Sequence, residues 1–63
     1  MKLREMLDRD GITRGSNKGI KVIQGKCEMM VSRRYLECEP WKNLLDTEVI
    51  QNDVDRIYVL KNI

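Results

Sequence analysis

Residues 20–31 read Ile20-Lys21-Val22-Ile23-Gln24-Gly25-Lys26-Cys27-Glu28-Met29-Met30-Val31, and this stretch decides the fold. Residues 20–24 are rich in β-branched side chains, which suit a pleated, half-buried surface. Gly25-Lys26 fits a two-residue hairpin turn with Gly at the first turn position, where φ is positive. Cys27, Met29 and Val31 then alternate with Glu28, so residues 27–31 read as the partner strand.

Beyond the hairpin the alternation changes phase. Tyr35 keeps the phase of Cys27, while Leu36 and Cys38 take the other. Either a bulge near 32–34 re-aims one bent strand or a turn separates two, and the bent strand is the reading adopted. Glu39-Pro40 opens the next segment, with Pro suited to the first position of a helical turn. Trp41, Leu44 and Leu45 recur at i, i+3, i+4, so a short helical turn near 40–45 plugs one end of the core. Residues 47–51 read as a strand, and Asn52-Asp53 begins a turn. Residues 55–60 form the last strand. There Ile57 and Val59 share one face, and Tyr58 and Leu60 share the other. A strand apolar on both faces is central in its sheet or covered by a partner.

Upstream of the hairpin, Leu3, Met6 and Leu7 form a helical stripe opposite Arg4, Glu5, Asp8 and Arg9. Gly11 is a natural left-handed residue just past a helix end, which pairs Leu7 with Ile12 in the apolar contact of a Schellman cap. The helix therefore covers 2–9. Two turns are unstable alone, so it must pack on something. Residues 13–19, Thr-Arg-Gly-Ser-Asn-Lys-Gly, are loop by composition.

These elements make residues 1–63 a single α+β domain. A short N-terminal helix packs on a mostly antiparallel three- or four-stranded sheet. The 63 residues are 35% charged and contain no Phe, so the core is thin and built from Ile, Leu, Val and Met. A core of this size rarely supplies more than about 3–5 kcal/mol, which makes a partner a natural source of further stability.

Several function classes are disfavoured. No apolar run approaches the roughly 20 residues of a membrane span, and Met1-Lys2-Leu3-Arg4-Glu5 is no signal-peptide h-region. A cytoplasmic location without a membrane partner is expected. Cys27 and Cys38 with no His cannot supply the four ligands of a structural zinc site, so no metal and no cofactor are expected. In a reducing compartment they read as two free, half-buried thiols. A disulfide would require strand pairing to place them opposite each other. Without His there is no ordinary Ser-His or Cys-His pair, and every Asp and Glu fits an exposed face or a turn. Lys26 neighbours Cys27, but adjacent strand residues point to opposite faces. An enzyme with a small-molecule substrate is not expected.

Charge is divided along the chain. Residues 1–34 carry nine Lys/Arg and four Asp/Glu, and residues 35–63 carry three and six. Arg14, Lys18, Lys21, Lys26, Arg33 and Arg34 stand against Glu28 alone in the basic stretch. Such cations can neutralise phosphates and release counterions, which marks residues 14–34 as candidate nucleic-acid contacts. They can equally form a solvated face, or meet the acidic half of a second copy. The pI of 8.7 falls below the value above about 9 typical of basic nucleic-acid binders, and no aromatic lies within the stretch. The solvated face ranks first, association second and nucleic acid third.

Gly15-Ser16-Asn17-Lys18-Gly19 lacks the phosphate-loop spacing and reads as a flexible loop. Asn52-Asp53-Val54-Asp55 lacks the further ligands of a calcium loop and reads as a turn. Tyr35, Trp41, Tyr58 and Leu60 are the candidate partner contacts. The first two are aromatic anchors, and the last two belong to the doubly apolar strand. Capping the core is the stronger reading for Trp41.

Leu3-Arg4-Glu5-Met6-Leu7, Ile20-Lys21-Val22, Leu44-Leu45-Asp46-Thr47-Glu48-Val49 and Ile57-Tyr58-Val59 together resemble small uncharacterised proteins of phages and prophages of Gram-positive bacteria. The resemblance spans most of the chain, rests on unspecific motifs, and does not extend to the loop at 14–19 or the cysteines. It implies an α+β fold and a mobile-element origin, and transfers no functional residue. The expected function is a small interaction or accessory module that self-associates or binds a larger protein. The alternative is a nucleic-acid-binding protein.

Overall fold

The computed structural model describes residues 1–53 and 56–62. Its elements are α1 (Leu3–Arg9), β1 (Gly19–Gln24), β2 (Cys27–Ser32), α2 (Arg33–Leu36), a 3₁₀ helix (Trp41–Asp46), β3 (Val49–Asp53) and β4 (Ile57–Leu60). The four strands form one sheet in the order β2-β1-β4-β3. β1 pairs antiparallel with β2, and β3 antiparallel with β4. The central β1–β4 pairing is parallel. The fold is thus α+β, with a mixed sheet in which two of the three pairings are antiparallel.

The helix ends as its sequence dictates. Gly11 has φ +78°, and the Ile12 N–H donates to the Leu7 carbonyl at 2.8 Å while the Gly11 N–H donates to Asp8 at 3.2 Å. Those are the two bonds of the Schellman cap. At the other end the Glu5 carboxylate accepts from the Lys2 N–H at 2.8 Å. Leu3, Met6 and Leu7 are buried, as the stripe requires. Fully burying one such Leu is worth about 1.5–3 kcal/mol, which helps hold a seven-residue helix that could not persist alone.

Gly25 at φ +61° turns the hairpin, with Gln24 opposite Cys27. The strand expected to bend beyond residue 31 instead ends at Ser32, and a single helical turn follows. Ser32 caps that turn by accepting from the Tyr35 N–H at 3.3 Å. The phase change at 35–38 is therefore a switch from period two to helical spacing, which buries Arg33 and Leu36 on the same side. Pro40 sits just before the 3₁₀ helix rather than at its first position. β3 runs further than expected. Asn52 and Asp53 pair with Tyr58 and Ile57 instead of opening a turn, and Asn52 Nδ2 donates to the Ile57 carbonyl at 3.2 Å. The strand predicted over 55–60 begins at Ile57, and Val54 and Asp55 lie outside the described residues.

Ile20, Val22, Tyr58 and Leu60 point from the sheet into the core, where Leu3, Met6, Leu7, Ile12, Leu36 and Leu45 meet them. By strand alternation Lys21, Ile23, Ile57 and Val59 point the other way, and they are half-buried. The last strand is therefore central, as its two apolar faces require. All the helical elements contribute to the core on one face alone.

The two outer strands differ. β3 is shielded at its start. Lys2 bridges Glu48, and the Val49 N–H donates to the Met1 carbonyl at 2.8 Å. Its register also shifts between Val49 and Gln51, which displaces Ile50 as a bulge. β2 runs without a register shift from Cys27 to Ser32 and contains neither Lys nor Pro.

Candidate functional site

The sequence-predicted cations do not form one surface. Arg33 is buried, at 2% exposure, and its guanidinium bonds Asp8, Glu37 and the Ile12 carbonyl. Burial pulls its pKa down, but the hydrogen bonds it donates to Asp8 and Glu37, with their negative charge, outweigh this and leave it raised. Arg33 is thus a structural cross-link between α2 and α1. Lys21 lies on the sheet face away from the core and pairs with Glu28 at 3.0 Å. Arg14 is paired with Glu37 at 3.8 Å. Lys18 precedes β1, and Lys26 lies in the turn that follows it. A strand of this length separates them by roughly 20 Å. Arg34 is exposed beside the 13–18 loop, its N–H donating to the Ser16 carbonyl at 3.2 Å. That bond fastens a loop expected to be flexible.

The four predicted partner contacts also divide. Tyr58 and Leu60, at 0% and 1% exposure, are core residues and present nothing to a partner. Their face of β4 is the one covered by α1 and the 3₁₀ helix. Tyr35 is 48% exposed, and Trp41 is half-buried. The two rings stack, with centroids 5.8 Å apart and an interplanar angle of 30°. α2 supplies Tyr35 and the 3₁₀ helix supplies Trp41, so the pair exists because two short helical segments converge beside β2.

This pair walls a groove. A cavity of about 360 Å³ is lined by Met29, Met30, Val31 and Ser32 together with Tyr35 and Trp41. Four consecutive strand residues in one lining mean that the groove follows the free edge of β2. A second cavity of about 490 Å³ continues past Trp41, between β1, β2, Pro40 and Leu44, and its lining is mostly apolar. Cys27 lies in that lining, and Cys27 and Cys38 are both free and exposed rather than half-buried.

A polar cleft of about 440 Å³ lies at the far end of the sheet, lined by Asp10, Lys18, Asn52, Asp53, Arg56 and Tyr58 among others. There the Tyr58 hydroxyl donates to Asp10 at 2.6 Å, and Arg9 bonds both Asp10 and Asn52. Burial first, and then the Asp10 hydrogen bond, push the Tyr58 pKa well above the ordinary tyrosine range. Asp10 and Glu37 thus do more than decorate an exposed face. Each anchors a buried group, which the sequence reading missed. Spacing gave no signal for Asp10–Tyr58 or Arg33–Asp8, which are long-range pairs, whereas Arg33 and Glu37 stand at i, i+4, a helical spacing that the bent-strand reading hid.

Among the described residues no helix is long and apolar enough to cross a membrane. No family model matches the chain, and neither a curated protein nor a solved structure matches it.

Proposed function

We propose that this protein is a small protein-interaction module that binds through the β2 edge and the groove beside it. The observation that carries this reading is the unshielded strand edge flanked by the Tyr35–Trp41 stack. A strand edge offers main-chain hydrogen bonds, and a neighbouring apolar groove receives alternate side chains of an added strand. Aromatic residues suit such a role because they bring large contact area at low entropy cost.

The nucleic-acid alternative is less well supported. Of its six cations Arg33 is enclosed, Lys21 and Arg14 are paired with carboxylates, and Lys18 and Lys26 stand far apart. Steep, salt-dependent binding of DNA or RNA at low salt would restore it.

The test is selection from a library of displayed random peptides. The expected result is enrichment of sequences with apolar residues at alternate positions, lost with Trp41→Ala. If nothing is enriched and the chain does not associate with itself, the interaction reading fails.

A further inference from the structure

Resting on that reading, we infer that the occupant of the β2 edge is a second copy of this chain, paired antiparallel through β2 about a two-fold axis at Met30.

The hydrogen-bonding phase of β2 is legible in the structure. The Lys21 N–H donates across to the Arg56 carbonyl at 2.9 Å, on the β4 side. Lys21 therefore directs its main-chain groups away from β2. Its partner Met30 must then direct its own N–H and C=O away from β1. The same alternation points Glu28 and Ser32 outward with it. A two-residue turn agrees, because it makes Gln24 and Cys27 a hydrogen-bonded pair.

The outward groups at 28, 30 and 32 are symmetric about Met30, so two such edges are self-complementary. Antiparallel pairing sets Met30 opposite Met30 and Glu28 opposite Ser32, with about four ladder hydrogen bonds, because the Ser32 carbonyl already accepts the first bond of α2. Like charges are not juxtaposed, since each Glu28 faces a hydroxyl. Met30, at 69% exposure the most open large apolar side chain among the described residues, packs against its symmetry mate. On the other face Met29 meets Val31 beside the aromatic walls, because both belong to the core side of β2.

The contrast between the two edges points the same way. Proteins blunt free strand edges with Lys, Pro, bulges or covering segments. β3 carries the Ile50 bulge and the Met1–Lys2 segment, while β2 carries a single charge, Glu28, which pairs with Lys21, and no Lys, Pro or bulge. Isologous pairing of the bare edges closes after two copies and leaves only shielded edges outside.

The experiment is sedimentation equilibrium of the full chain from micromolar to millimolar concentration, at low and high salt. The expected mass is twice that of one chain and insensitive to salt, because backbone and apolar contacts hold the pair. Met30→Pro removes an N–H that β1 does not use, so the fold survives and the mass halves. Met30→Lys, which keeps the backbone intact, is expected to do the same. In a Cys27→Ser, Cys38→Ser background, Met30→Cys cross-links to itself on oxidation, whereas Ile50→Cys on the other edge does not. A monomeric wild type that still binds apolar peptides overturns the second copy and spares the interaction module. A monomer that binds none overturns both. A dimer that persists in Met30→Lys and yields no Met30→Cys cross-link lies elsewhere and overturns the pairing.

Discussion

The guanidinium of Arg33 and the carboxylate of Asp8 join two helical segments 25 residues apart, and the same guanidinium satisfies the Ile12 carbonyl. Removing Arg33 leaves a buried carbonyl unpaired and leaves Glu37 only the more distant Arg14. Arg33→Ala is expected to cost about 2–3 kcal/mol, read from the urea midpoint. Arg33→Lys recovers only part of this, because one ammonium cannot present a planar fork to three acceptors.

Tyr58 makes stability fall in strong alkali. Its folded pKa is raised, so the folded chain holds the proton more tightly than the unfolded chain does. That contribution is whole below the unfolded value of about 10 and is lost as pH climbs toward the folded one. Urea unfolding above pH 10 should show this decline in the wild type and a shallower one in Tyr58→Phe. Equal slopes would disprove the coupling.

Gly11 occupies the left-handed region with nothing within 4 Å of an added Cβ. The expected loss is therefore purely conformational: about 1 kcal/mol for Gly11→Ala, and less for Gly11→Asn. A thermal-melt series compares the two.

Tyr35 and Trp41 separate binding from folding. Tyr35→Ala touches a half-exposed ring and should change stability by less than about 1 kcal/mol while weakening capture of apolar peptides. Trp41 packs against the core as well. Trp41→Ala is expected to lose both binding and about 2 kcal/mol of stability, less than a fully buried aromatic would. Paired urea titrations and fluorescence binding curves would reveal either effect without the other.

What the sequence revealed followed local physics. The Schellman cap, the hairpin turn and the doubly apolar last strand each rest on residues close in the chain. The miss at Ser32 arose where two periodicities share one apolar run. Tyr35 fits either, and only the Ser32 cap with the enclosed Arg33 settles the helical turn. The candidate site was half legible. Tyr35 and Trp41 were identifiable as candidate aromatic anchors, although the bent-strand reading kept Tyr35 within a strand. Their stacking, the enclosure of Arg33 and the depth of Tyr58 and Leu60 depend on how distant segments meet, which spacing does not encode.

The strand order β2-β1-β4-β3 has a consequence for how the chain is made. β4 follows the other three strands in the chain, yet it occupies an interior place and supplies Tyr58 and Leu60 to the core. While β4 remains inside the ribosome, the hairpin and α1 have no common floor, and the parallel seam with β1 cannot close. Assembly is therefore vectorial in reverse. Early segments wait, and the emergence of β4 commits the whole domain at once.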